Sequence, residues 1–294
     1  MQFWPRKRSR RPYPWVRSWA LVAQPKLLGF IGYKAGMTHI LYNETRSNAR
    51  FKGEKVMMPV TILECPPITP RSLRFYKKTV YGLHLVGEVY PEKGKKQGKK
   101  PDVFDEVRLV IETNPEKTGI GKKVPDVMEI TVSGSNNDEK VKYALDLINK
   151  DIKVSEVVKE GQFVDVHGVT KGKGYQGTVK RYGVKIRQHK SEKVKRGVGT
   201  LGPWTPKKVS YRVPQPGKMG YHARTEYNKQ VIKISANPEE INPKSGLIKY
   251  GNVKNEYLLI KGSLPGSRKR PLIVTECIRP LHKPEQKEII YIHK

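Results

Sequence analysis

Leu28-Gly29-Phe30-Ile31-Gly32-Tyr33-Lys34-Ala35-Gly36-Met37-Thr38-His39-Ile40 sets β-forming residues between glycines. Glycine inside a strand pattern marks a turn, a bulge or a close backbone approach. The stretch therefore predicts strands bent by glycine, and the chain around it repeats the theme. Val56–Cys65 (VMMPVTILEC) reads as a strand whose Pro59 calls for an edge or a bulge, and Thr79–Tyr90 as another. Further strands are predicted over Gln162–Val169, Gln230–Ile234, Glu256–Lys261 and Pro271–Glu276. No internal repeat appears at the usual periods.

The middle of the chain is different in kind. Pro91–Lys100 (PEKGKKQGKK) is a polar low-complexity loop, followed by strand patterns over Val103–Thr113 and Asp126–Ser133. Ser135-Asn136-Asn137-Asp138 can cap a helix, and Val141, Ala144, Leu145 and Ile148 follow at helical spacing. From Pro91 to Lys150 twelve Lys/Arg face eleven acids, an ordinary solvated surface. The expected organisation is an N-terminal arm over 1–26, a discontinuous β domain over 27–90 and 151–294 that contains a long basic extension over 167–229, and an α/β insertion over 91–150.

Charge carries the functional argument. The 294 residues hold 58 Lys+Arg and 27 Asp+Glu, a formal net charge of +31. Such a chain attracts polyanions, of which nucleic acid is the commonest. The excess is clustered. Residues 1–26 carry seven cations and no acid, and residues 167–233 carry seventeen cations and two acids. Aromatics are interleaved in both segments, as an RNA or DNA contact surface requires. In the arm the candidates are Trp4, Arg6, Lys7, Arg8, Arg10, Arg11, Trp15 and Arg17. We read this arm as extended and ordered by a partner.

The second segment supplies Lys171, Lys173, Tyr175, Lys180, Arg181, Lys185, Arg187, His189, Lys190, Lys195 and Arg196, then Trp204, Lys207, Lys208, Arg212, Lys218, His222 and Arg224. Gly172-Lys173-Gly174-Tyr175-Gln176-Gly177 matches a dinucleotide fingerprint. The residues after it, Thr178–Val184, include two β-branched residues at the start and a glycine, so no helix is expected there to receive a pyrophosphate. Glycines that let backbones approach, beside lysines that neutralise phosphates, fit the stretch better. Trp204, between Gly202-Pro203 and Pro206, is either a loop tip that stacks on something or a plug beneath a loop; the cationic setting favours the tip. His222 lacks a recognisable nucleophile or carboxylate partner, so it reads as an RNA contact and not as a catalytic base.

Several classes are excluded or disfavoured. No apolar run of about 18 residues exists to form a transmembrane helix. The basic start lacks the apolar stretch of a secretory signal. Cys65 and Cys277 read as two reduced core thiols, and no C-x-x-C or H-x-x-x-H pair offers a zinc site. No cofactor, no membrane partner and no small-molecule substrate is expected. The rival readings are an RNA-modifying enzyme, which needs an acid/base or cofactor constellation, and a general nucleic-acid binder, which needs no sequence preference.

Five motifs carry a resemblance. They are Phe3-Trp4-Pro5-Arg6-Lys7-Arg8, Gly29–His39 (GFIGYKAGMTH), His167–Gly177 (HGVTKGKGYQG), Gly202–Pro206 (GPWTP) and Gly217–Lys229 (GKMGYHARTEYNK). In these the chain resembles the large-subunit ribosomal protein L-three family in its archaeal and eukaryotic form. The resemblance implies a mainly β fold with an α+β insertion: a six-stranded β-barrel of the kind shared with translation factors, with long basic extensions. It implies a structural, non-enzymatic constituent of the ribosome, in the cytoplasm. Such a protein binds large-subunit rRNA early in assembly. Its extension reaches toward the peptidyl transferase centre with Trp204 at the tip. Neighbouring large-subunit proteins, including the fourteenth, would be partners.

Overall fold

The structure, a computed structural model, describes residues 3–46, 49–90, 100–281 and 287–294. In chain order the strands are β1 (Lys26–Leu27), β2 (Gly29–Asn43), β3 (Lys55–Glu64), β4 (Ile68–Thr79), β5 (Gly82–Val89), β6 (Glu106–Thr113) and β7 (Val127–Ser133). Then come β8 (Phe163–Val169), β9 (Tyr175–Gln176), β10 (Gly217–Lys218), β11 (Ala223–Ser235), β12 (Tyr257–Lys261), β13 (Pro271–Glu276) and β14 (Ile289–Ile292). The helices are α1 (Asn137–Leu147), α2 (Val154–Val157) and α3 (Thr178–Tyr182).

Six of these strands close a ring of antiparallel pairs. β2 pairs with β3, β3 with β12, β12 with β11, β11 with β8, β8 with β13, and β13 returns to β2. A closed ring exposes no continuous strand edge. The fifteen residues of β2 make closure possible. Gly29–Tyr33 pair with β13, and Tyr33–Asn43 pair with β3 across a register shift between Lys34 and Gly36. A side chain at Gly32 would put its Cβ 2.9 Å from Cys65 Sγ and 3.2 Å from the Glu64 carbonyl oxygen, so glycine is what lets this crossing tighten. The glycine-bent strand expected from the sequence is therefore present. Pairing of β12 to β3 stops at Val60, so Pro59 sits just beyond it, where its missing N–H leaves no ladder bond unmade.

β3 and β12 feed two hydrophobic cores. Leu63, Leu258 and Ile260 enter the larger one, whereas Val60, Ile62, Tyr257 and Leu259 enter the smaller. From Val60 to Glu64 β3 is buried on both faces, so no polar alternation marks that half of VMMPVTILEC, whereas Met57 and Pro59 in the first half are exposed.

The second sheet has the order β1-β7-β6-β4-β5, with α1 against it. Here the expected boundaries change. The sequence reading puts β4 and β5 in the 27–90 portion of the β domain, yet β4 pairs with β6 along Ile68–Tyr76 and β5 is its hairpin partner. The break at Pro66-Pro67 ends the barrel ladder, so the sheet begins at Ile68 and not near residue 91. At its far end Ile68 and Ile152 exchange two backbone hydrogen bonds of 2.9 and 3.1 Å, which ties the entry and exit of this unit together. Most of the predicted loop at Pro91–Lys100 lies outside the described residues. α1 buries Val141 and Ala144 with Ile148 just beyond it, but Leu145 is exposed. Among the described residues no helix is long and apolar enough to cross a membrane. Cys65 and Cys277 are both buried free thiols.

Two buried polar clusters tie the parts together. The Tyr33 hydroxyl, from β2, lies 2.8 Å from Thr113 Oγ1 and donates to Asp126 Oδ2 at 2.9 Å, joining barrel to second sheet. Burial pushes that phenol's pKa far up, so it stays protonated and able to donate. Glu64, fully buried on β3, accepts from the Tyr250 hydroxyl (2.5 Å), the Lys254 and Asn255 amides (2.8 and 3.1 Å) and Asn255 Nδ2 (2.9 Å). One carboxylate thereby fixes the whole 250–255 turn.

Glu64→Ala strands those donors in the core. It should lower the unfolding free energy by about 3–5 kcal/mol in urea titration, because unsatisfied buried groups each cost ~1–3 kcal/mol. His167 gives a pH signature. Its ring nitrogens lie 2.9 Å from Thr225 Oγ1 and 3.1 Å from Thr275 Oγ1, and burial pushes its pKa down to about 4 against the partial opposition of Asp165. The unfolded chain takes up this proton near pH 6.5 and the native chain only near 4. The His167 contribution is thus complete above 6.5 and declines as pH falls across that window, by about 3 kcal/mol in all. Stability profiles of wild type and His167→Gln should differ in slope over that range and run parallel above it.

Candidate nucleic-acid interface

β8 and β11 are neighbours in the barrel, and their ladder continues past its rim. Thr170 N donates to His222 O (2.9 Å), Lys173 N to Met219 O (2.9 Å) and Met219 N to Gly174 O (2.8 Å), after which β9 pairs with β10. The basic segment expected over 167–229 is therefore a two-limbed extension over 170–222, with its ends built into barrel strands. Gly220 is required in this neck. Its φ is +77°, and a Cβ there would sit 2.1 Å from the Lys171 carbonyl oxygen.

Beyond the neck, the prediction that no helix follows Gly177 is corrected. Thr178–Tyr182 forms α3, stopped by Gly183 in the left-handed conformation at φ 71°. The physical reason is tertiary. Thr178 is buried and its hydroxyl donates to Arg196 O at 3.0 Å, holding the turn against the far loop. The helix is one short turn, and the preceding β9 pairs antiparallel with β10, so no dinucleotide-binding βαβ unit is made.

The extension's cations face outward. Lys171, Lys173, Lys180, Lys185, Arg187, Lys190, Lys195, Arg196, Lys207, Lys208, Arg212 and Lys218 are exposed, as are His189 and Tyr175. None of these cations makes an ion pair among the described residues, whereas the second sheet joins Arg74 and Arg108 to Glu88, Glu106 and Glu129. Trp204 is 84% exposed in the outer loop, which decides between the two sequence readings: it is a tip and not a plug.

The arm departs from expectation. The sequence predicts an arm ordered by a partner, whereas the arm is laid on the protein, with Pro14, Val16 and Ala20 buried and Trp19 packed against the larger core. Its outer part is clasped to the extension. Ser9 N donates to Tyr221 O at 2.7 Å, and Lys7 O lies 2.9 Å from His222 Nδ1. His222 Nε2 accepts from the Gly220 amide at 3.2 Å, so the proton sits on Nδ1, which donates to Lys7. His222, expected as an RNA contact, is thus a buried clasp with both ring nitrogens engaged by backbone groups.

Around this clasp aromatic rings and guanidinium groups stack. Trp4 lies 6.1 Å from the Tyr182 ring and meets Tyr211 edge-on at 5.7 Å. Arg6 and Arg181 sit 4.4 and 5.1 Å from the Tyr182 centroid, and Arg6 donates to the Arg181 carbonyl. Arg224 covers Phe3 at 4.2 Å; burial first, then neighbouring Arg6, presses its pKa below the ordinary value. Each such cation–π contact contributes ~0.5–2 kcal/mol, depending on desolvation. Arg6, Arg181 and Arg224 are only partly exposed, whereas Lys7, Arg8, Arg10, Arg11, Trp15 and Arg17 remain on the surface. The residues missed are Phe3, Tyr182, Tyr211 and Tyr221. Their signal was present as aromatics within the basic segments, but only the fold shows that Tyr182 and Tyr211 meet Trp4, that Phe3 lies under Arg224 and that Tyr221 lies under Arg270.

Fold and site define a class: a β-barrel protein with a cation-dense, acid-poor ribbon suited to a polyanion. The family model for ribosomal protein L3 matches residues 1–101 and 96–293. Large ribosomal subunit protein uL3 of Methanothermobacter thermautotrophicus is 42% identical, covering 97% of this chain and 92% of its own. The Archaeoglobus fulgidus protein of the same name is 44% identical over 95% of this chain and 91% of its own, and that of Methanopyrus kandleri 38% over 100% and 89%. The chain belongs to the ribosomal protein L3 family.

Removing the clasp should free the arm. With His222→Phe, limited trypsin digestion should cut at Arg8–Arg11 several-fold faster than in wild type, while cleavage within the second sheet stays unchanged. Equal rates at both places would show that His222 does not hold the arm.

Proposed function

We propose that this chain is a structural constituent of the large ribosomal subunit, working in the ribosome, that binds large-subunit rRNA through its arm and extension. Family membership supports the first part. The observation that carries the second is the extension itself: thirteen exposed cations that make no ion pair among the described residues, on a ribbon fixed by the barrel ladder. Lys and Arg there displace counterions from crowded phosphates, each neutralised phosphate steepening the salt dependence by roughly 0.7–0.9 in log K per log salt. Glycines admit close backbone approach, and exposed Tyr175 and Trp204 offer faces to unpaired bases. The closed ring serves as a barrel of the translation-factor kind. We place it at the subunit surface, with the extension bracing the peptidyl transferase region and supporting early assembly. Neighbouring large-subunit proteins, including the fourteenth, are the expected protein partners.

Sedimentation of a lysate at moderate and then high salt tests this. The protein should travel with the large subunit and survive the high-salt wash; recovery mainly at the top of the gradient would overturn the structural role. Trp204→Ala should leave the melting temperature unchanged, because the ring is exposed. It should weaken binding to an rRNA fragment that includes the tip site by about 1–3 kcal/mol, the range for base stacking on an aromatic.

A further inference from the structure

A cavity of about 500 Å³ lies where the extension leaves the barrel. Its size is in the range of small-ligand sites. Four cations line it: Lys34 from β2, Lys171 from the neck, Lys249 from the turn after the smaller core, and Arg268 from the loop before β13. No acid lines it. The acid that bears on Lys34 is Glu226, which is itself paired with Lys229 at 2.7 Å.

These cations are held in place by the backbone. Lys34 is buried, and its ammonium donates to Leu264 O at 2.6 Å and weakly to Gly266 O at 3.4 Å, leaving one of its three donors unused by these contacts. The loop bearing Arg268 is locked to the same residue, since Lys34 N donates to Arg270 O (3.1 Å) and Lys269 N to Lys34 O (2.8 Å). Lys249 has φ 60° in a turn closed by Leu247 and Gly251, and the next residue, Tyr250, is anchored on Glu64. The arrangement therefore fixes like charges around an open volume. Burial, then Lys171, and further Arg268 lower the Lys34 pKa, with Glu226 opposing. Such crowding is unfavourable until an anion enters. Met37, half exposed on the wall, adds an apolar surface suited to a sugar or a base face.

We propose that this cavity holds a backbone phosphate of RNA, with Lys171, Lys249 and Arg268 as its ligands and Lys34 as the cationic floor. The choice of RNA over a free nucleotide rests on the function proposed above and on Lys171. That residue is shared between the cavity and the extension, so a strand following the neck toward the barrel passes over the cavity mouth. Lys34, Lys249 and Arg268 lie outside both charge-dense segments, which is why sequence reading did not assign them.

The test uses the full chain, wild type and Lys249→Ala/Arg268→Ala. Neither side chain makes a hydrogen bond or ion pair among the described residues, so the double variant should melt with wild type. If it does not, the Gln/Gln pair replaces it. Lys142→Ala/Lys150→Ala, at two exposed lysines, is the charge-matched control on the other unit. Binding to a large-subunit rRNA fragment is measured across a salt series, together with interference by single phosphate ethylation. The cavity variant should bind about tenfold or more weakly. Its salt slope should be shallower by roughly 0.7–0.9, and one phosphate whose ethylation harms wild-type binding should cease to matter. The control should show none of these changes.

Unchanged affinity, slope and interference in a cavity variant, beside normal wild-type binding, would overturn the site and leave the rRNA function standing. Wild type that fails to prefer the fragment over unrelated RNA would overturn that function and the site's assignment with it. A third arm follows the methyl resonance of Met37 during titration with adenosine monophosphate. A saturable shift, lost in the cavity variant and unaccompanied by any change in RNA interference, would assign the cavity to a free nucleotide and overturn the backbone reading.

Discussion

The hydrogen-bond ladder between β8 and β11 is the constraint on which the functional surface depends. These strands are adjacent in a closed ring, so their relative position is set by the whole barrel. Because the ladder runs on through Thr170–His222 and Lys173–Met219, the extension leaves the barrel in one direction instead of flailing as a loop. A ribbon of like charges repels itself and has few apolar residues to bury. Ordered backbone pairing at its root is what the chain can supply without a partner.

The arm adds a second restraint at the same place. Lys7 O on His222 and Ser9 N on Tyr221 O bring residues from the two most basic segments side by side. That juxtaposition costs electrostatic energy, and the geometry shows how part of it is offset. Arg6, Arg181 and Arg224 lie over Tyr182 and Phe3, where the ring quadrupoles attract the cations. In the second sheet, by contrast, Glu88, Glu106 and Glu129 pair with Arg74 and Arg108. One sheet thus behaves as a self-neutralised folding unit, and the extension as a surface whose neutralisation comes from outside.

Much of the fold was legible because its strands obey local rules. Pro271–Glu276 matches the predicted span, Gln162–Val169 and Glu256–Lys261 differ by one residue at the start, and the helix follows its Asn-rich cap. What misled was sheet membership. Nothing in Ile68–Val89 says whether those strands pair with β3 or β6, since a twofold alternation fixes which residues face inward but not who the neighbour is. The α3 turn failed for a related reason: two β-branched residues near its start argue against a helix, and the buried Thr178–Arg196 contact overrides them.

The sequence by itself determined the charge, its confinement to two segments, the glycines that permit close approach and the aromatic at the tip, because these are properties of composition and order. Only the tertiary structure decided that the arm lies against the extension and that His222 is a clasp. It also decided that Lys34, Lys171, Lys249 and Arg268 converge on one cavity. Residues distant in the chain meet only when barrel closure brings their strands together, and no local pattern encodes that distance.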